Sequence, residues 1–206
     1  TRQTLDMMKT VPEDRPLGLQ LLGSDPDRMA EAAQIVEGMG YDLVDVNIGC
    51  PVKKVTGQCA GSALLREPDL AARIFQKMAK AVKKIPLSVK LRLGYADASG
   101  KEAIAVARSA ERAGFSAVAV HGRTRSQGYS GQADYDAIGR IKKALSIPVF
   151  GNGDVVNEKS ARTLLAKSSC DGIMVGRGAL GNPWIYKLIN AVIENKPLPD
   201  PPTFEE

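Results

Sequence analysis

Residues 43–54 read LVDVNIGCPVKK: an alternating apolar run that carries a carboxylate and an amide, breaks at Gly49, and turns through Cys50 and Pro51 into a basic segment. Alternation at that period belongs to a strand. Glycine and proline then end it. A thiol thus stands where a buried strand opens into a loop, a placement that calls for a reason. The same arrangement recurs along the chain.

Short apolar runs stand at 17–22 (LGLQLL), 43–46 (LVDV), 87–91 (LSVKL), 117–120 (AVAV), 148–150 (PVF) and 172–175 (GIMV), with helix-length segments between them. Asp25 and Pro26 form an N-cap followed by proline at the first helical position, and Gly40 suits the stop. Pro68 and Pro183 are expected to open helices in the same way, and helical spacing runs through 103–113, 135–145 and 160–167. Strand and helix alternating without hairpin turns predict a parallel sheet covered by helices.

That leaves a doubly wound sheet or a barrel, and the polar residues choose between them. Nearly every strand delivers its unusual residues inside or at its C-terminal end: Gln20, Asn47 with Cys50, Lys90 with Arg92, His121 with Arg123, Asn152 with Asp154, and Gly176 with Arg177. A doubly wound sheet gathers its site beside one switch point, whereas a barrel collects residues from all strands on one rim. The expectation is a TIM-type (β/α)8 barrel that is incomplete here, with about six βα units visible and the first two strands absent. Its first and last strands would present open edges. The glycine turns GNGD (151–154) and VGRG (175–178) expose backbone N–H groups where such barrels hold phosphate.

Composition narrows the function classes. The chain has 206 residues, 44% hydrophobic and 25% charged, which suits a globular core and excludes a disordered chain. No apolar run approaches a membrane span of roughly 20 residues, and the opening TRQTLDMMKTVPEDRP has no basic stretch leading into an apolar one. A cytoplasmic protein is expected. Three cysteines and a single histidine are too few for a disulfide framework or a zinc site, so no metal is expected. The net charge of +5, with Lys53, Lys54, Arg123 and Arg125 in rim loops, suits a polyanionic partner. The pairs Lys83-Lys84 and Lys142-Lys143 read as solvated helix faces.

The stretch NIGCPVKKVTGQCAGSALL (47–65) resembles the signature of the tRNA-dihydrouridine synthases. HGRTR (121–125), VFGNGD (149–154) and MVGRGALGNPWIY (174–186) follow in the order found in those flavoenzymes. Four such strings in order are specific where any one would be weak. The resemblance implies an FMN-bound barrel that reduces a uridine of tRNA to 5,6-dihydrouridine, with NADPH recharging the flavin. It implies that Cys50 protonates C5 of uracil while reduced flavin delivers hydride to C6. Lys90 matches the lysine at the N1/O2 edge of the flavin, Gln20 a glutamine bonded to the ring, and His121 a histidine beside the cofactor. Asn152, Gly153, Asp154, Gly176 and Arg177 match phosphate and ribityl contacts. Asn47 and Arg92 are assigned to the uracil side, and Lys53, Lys54, Arg123 and Arg125 to the RNA backbone. Residues 1–195 are then the catalytic barrel domain, and 196–206 a linker toward an absent C-terminal helical domain that grips tRNA.

Two rival readings stand beside this one. Other FMN barrels, the dihydroorotate and dihydropyrimidine dehydrogenases, act on the same bond of a free base and carry a similar N-x-S-C-P string. Here Gly49 replaces that serine, and HGRTR appears two strands later. A non-catalytic RNA-binding module would also fit the basic balance, but 5% aromatic residues are thin for base-stacking platforms.

Overall fold

All of the expected strands form, and they lie parallel in one 6-stranded sheet: β1 (Gly18–Leu21), β2 (Leu43–Ile48), β3 (Leu87–Arg92), β4 (Ala117–His121), β5 (Val149–Asn152) and β6 (Gly172–Met174). The computed structural model describes residue 6 and residues 8–200. Strand order in space follows order in sequence, β1-β2-β3-β4-β5-β6. In a parallel sheet with right-handed crossovers, that order keeps every helix on one face, whereas a doubly wound sheet would reverse direction at its switch point. The sheet is therefore a barrel wall. Among the described residues β1 and β6 each pair on one side only, so the wall is open, a partial TIM-type barrel.

Among the described residues six helices cover the outside: α1 (Pro26–Gly38), α2 (Pro68–Ala81), α3 (Lys101–Ala113), α4 (Tyr135–Lys143), α5 (Glu158–Ser168) and α6 (Ile185–Ile193). Local chemistry sets their ends. Asp25 caps α1 by accepting from the N–H groups of Asp27 and Arg28 at 2.9 and 3.0 Å, and Gly40 leaves it with φ of +78°. Asn157 and Ser160 form a reciprocal cap on α5, which begins two residues before its apolar spacing becomes regular. Pro183 does not open its helix. It lies in a turn that hands Tyr186 and Ile185 to α6, whose first residue is Ile185.

Alternation along the strands separates two environments. Val44, Val46, Ile48, Val89, Leu91, Val118 and Val120 are fully buried against the helices, among Ile74, Phe75, Met78 and Val106. The Phe75 and Phe115 rings meet at 4.8 Å within that layer. The intervening residues look into the concave face, and register sets them in rows. Gln20 stands beside Asp45 and Ser88. Asn47 stands beside Lys90, Ala119 and Phe150. Arg92 stands beside His121, Asn152 and Met174, nearest the C-terminal rim. Residues 196–200 of the expected linker have no regular secondary structure, and 201–206 lie outside the described residues. No described helix is long and apolar enough to cross a membrane.

Candidate functional site

The C-terminal ends of the strands enclose a cavity of about 760 Å³, within the range of small-molecule and cofactor sites. Every residue assigned to a site from the sequence lines it except Lys53, Lys54, Arg123 and Arg125.

Cys50 is half-buried on the loop that leaves β2. The Asn47 side-chain oxygen accepts from the N–H groups of Gly49 and Cys50, both at 2.9 Å. From the other side, Ser62 donates to the Cys50 carbonyl from its N–H at 3.1 Å and from its hydroxyl at 2.9 Å. Gly61 makes that approach possible: its φ is +59°, and a Cβ there would lie 2.9 Å from the Cys50 carbonyl oxygen. The thiol's loop is thus held at both flanks. Cys59 is exposed, and Cys170 is buried with its Sγ 3.2 Å from the Gly172 carbonyl, so neither reaches the cavity.

Lys90, Arg92 and His121 crowd together on the inner face of the wall. Burial, and next the nearby Arg92, bring the Lys90 ammonium down to about 8, although Asp45 opposes them. Burial, reinforced by Lys90, Arg92 and Arg123, lowers His121 to about 3, so the imidazole is neutral at physiological pH. Arg92 is buried, and its Nε and Nη1 donate to the carbonyls of Gly49, Thr124 and Gly128 at 2.9 Å each. It lines the cavity, but its first role is to tie the Cys50 loop to the loop after β4.

Arg123 departs from the sequence reading. Instead of standing in a rim loop open to RNA, it is 2% exposed and grips both carboxylate oxygens of Asp154 at 2.8 Å. It also donates to the carbonyls of Ser130 and Gly131 at 3.1 and 2.6 Å. A buried guanidinium needs such a set of acceptors, and here it has them. Asp154 is correspondingly engaged. Burial alone would raise it, but Arg123 and the Ala133 N–H hold the carboxyl below its ordinary range. Its carboxylate clamps the loop after β4 to the end of β5 while still lining the cavity. Arg125 is half-buried with its guanidinium 4.9 Å from the Tyr95 ring, whereas Lys53 and Lys54 are exposed on the helical turn after Cys50.

At the β5 and β6 ends, Asn152 donates to the Met174 carbonyl at 2.8 Å, Gly153 takes φ of +126°, and the space around Gly176 is open. Tyr129 stands over this end, a residue that the sequence did not single out. It is 62% exposed, with its ring 4.4 Å from the Arg177 guanidinium, 5.8 Å from that of Arg92 and 6.3 Å from the His121 ring. The only signal in sequence was one aromatic among small polar residues in 126–132 (SQGYSGQ). Asp45 and Ser88 were missed as well, because polar residues inside a strand do not announce their partners.

Functional groups gathered on the C-terminal rim of a parallel barrel wall are the frame on which barrel enzymes are built. The chain belongs to the dihydrouridine synthase (Dus) family, whose model matches residues 1–206. It is 47% identical over 203 residues to a probable tRNA-dihydrouridine synthase from Rickettsia bellii, covering 97% of this chain and 62% of that protein. It is 42% identical over 188 residues to tRNA-dihydrouridine synthase B from Pasteurella multocida, covering 91% of this chain and 56% of that one. The chain therefore spans little more than half the length of the curated relatives it matches. Among solved structures, a mandelate racemase/muconate lactonizing family protein from Azoarcus superposes with a TM-score of 0.62 at 18% identity, covering 88% of this chain and 42% of that chain. At that identity the likeness is one of fold alone.

Proposed function

We propose that this chain carries the reaction site for reducing uridines of tRNA to 5,6-dihydrouridine, with Cys50 as the proton donor to C5 of uracil. The observation that supports it most is the placement of the half-buried Cys50 on a loop fixed at both flanks, lining one cavity with Lys90, His121 and the glycine turns. A proton donor acts only from a fixed position within reach of its target.

The donor set suits FMN. Toward a flavin ring it offers the Lys90 cation, the amides of Gln20 and Asn47, and a neutral His121. Toward a phosphate it offers the backbone turns at Gly153 and Gly176 and the exposed Arg177 guanidinium. Bound there, FMN would supply hydride chemistry at C6 of uracil, with NADPH as the source of electrons, and Lys90 would offer it a positive charge. Lys53, Lys54 and Arg125 remain the candidates for RNA phosphates, and Arg123 is withdrawn from that set.

Incubating the purified protein with FMN, NADPH and unmodified tRNA, then digesting the tRNA to nucleosides, should reveal dihydrouridine by mass spectrometry. Turnover of free dihydroorotate with no change in the tRNA would replace this reading with that of a free-pyrimidine dehydrogenase. A protein that binds tRNA but takes up no FMN would leave only the binding module.

A further inference from the structure

We propose that Asp45 is a positioning residue that sets, through the side-chain amides of Gln20 and Asn47, where the Cys50 loop stands. The consequence for chemistry rests on reading Cys50 as the proton donor; the geometry does not.

An ionised carboxylate can only accept hydrogen bonds, whereas an amide has a donating end and an accepting end of nearly the same shape. Asp45 accepts from the Ser88 hydroxyl on Oδ1 and from the Gln20 amide on Oδ2, both at 2.6 Å. Gln20 must therefore turn its nitrogen toward Asp45 and its oxygen away. That oxygen accepts from the Asn47 nitrogen at 2.7 Å. Asn47 in turn must point its oxygen at the loop, where it receives the N–H groups of Gly49 and Cys50, both at 2.9 Å. If either amide were turned over, a donor would face a donor. The direction of the whole chain is fixed at the one end that cannot donate.

Asp45 itself does not line the cavity, so whatever it contributes passes through its neighbours. Burial raises its carboxyl above the ordinary range, opposed by the bonds from Ser88 and Gln20 and by the nearby Lys90. Those are the groups that face it from β1 and β3, the strands on either side. Strand alternation alone would fill the position with any residue that fits; the pattern of donors requires an acceptor.

Asp45→Leu keeps about the size and removes the acceptor, whereas asparagine could turn its nitrogen to the Ser88 hydroxyl, which accepts as well as donates, and keep its oxygen on Gln20. With no acceptor at position 45, nothing sets which end of Gln20 faces Asn47, both amides are free to turn over, and the Gly49 and Cys50 N–H groups lose a fixed acceptor. Peptide-resolved hydrogen exchange on the purified protein should show those amides exchanging about tenfold faster, as expected for loss of a well-formed bond. Amides within α2 should be unchanged. Combining Gln20→Glu with Asp45→Asn moves the carboxylate one place along. The new carboxylate accepts from both neighbours, the original direction returns at Asn47, and exchange should fall back to within about threefold of the starting protein. Unchanged exchange in the single variant would overturn the proposal, as would a double variant as fast as the single. Acceleration that spreads into α2 would also overturn it, since Asp45 would then serve the fold at large. Neither tRNA nor flavin enters the measurement, so it can fail while dihydrouridine formation succeeds, and the reverse.

Discussion

Lys90→Met should make the flavin-free protein more stable at pH 7, which is the opposite of what a core substitution usually does. The reason is a charge held where water is scarce. Lys90 titrates near 8 against an ordinary value of 10.5, so at neutral pH the folded state carries an ammonium that burial and Arg92 both disfavour. A difference of that size, at 1.36 kcal/mol per pH unit, corresponds to about 3 kcal/mol of destabilisation. Two effects reduce it: the lumen is open to water, and methionine withdraws the positive neighbour of Asp45. We expect a gain of about 1–3 kcal/mol. The sign fixes the pH window. A folded value lowered below the unfolded one means stability that is present above 10.5 and lost as pH falls toward 8, so the advantage of methionine should be full below 8 and fade between 8 and 10.5. Urea unfolding of both proteins at pH 7 and pH 10 measures it. A variant no more stable than the parent at pH 7, or with an advantage that does not shrink at pH 10, would refute the assignment of a strained charge at Lys90. In the presence of FMN, the order of stabilities should narrow or reverse, because an electron-rich ligand supplies what the ammonium lacks.

Arg123→Gln should cost about 3–5 kcal/mol in unfolding free energy, since it strands the Asp154 carboxylate among buried groups; a loss under 1 kcal/mol would remove the clamp from the account. Arg125→Ala, by contrast, should leave the fold intact and lower the slope of log affinity for tRNA against log salt by about 1, and an unchanged slope excludes it from the RNA contacts. Cys50→Ala should still bind FMN and accept electrons from NADPH while losing about 10² to 10⁴ in the rate at which tRNA reoxidises the flavin, followed by stopped flow. Cys59→Ala should leave that rate near the parent value. His121, lowered to about 3 and the chain's single histidine, contributes stability that is present above 6.5 and lost as pH falls from 6.5 toward 3. Unfolding midpoints should therefore drop between pH 6.5 and 4.5 in the parent but stay nearly flat in His121→Gln over that interval.

The parts of this molecule that are local were legible in its sequence. Each βα unit carries its own punctuation, such as the Asp25 cap, Pro68 at the start of α2 and Gly40 at the end of α1. The recurrence of polar residues at strand ends pointed to one rim and hence to a barrel. What failed were properties that depend on a distant partner. Arg123 reads as a rim cation because HGRTR is a polar loop, and only Asp154, 31 residues later, makes it a buried clamp. Asp45 and Ser88 lie inside otherwise apolar strands, and their bond spans 43 residues. Tyr129 gained its place from the folding of its loop over Arg177, which no spacing encodes. Pro183 misled in a different way: proline suits the turn before a helix as well as its first residue.

The tie between Cys50 and the Gly61-Ser62 segment has a bearing on how this connection can change. Its two ends are joined to each other by contacts that do not depend on how many residues lie between them. The exposed stretch at Gly57, Gln58 and Cys59 can therefore lengthen or shorten at small entropic expense, re-spacing the basic turn that precedes it while the sulfur stays in place. At position 61 the tolerance is reversed, because a single methyl group would press on the Cys50 carbonyl and on its Cβ. One connection thus holds a segment free to drift in length and a point where no growth is admitted. The first can be re-spaced without disturbing the Cys50 loop fixed by the second.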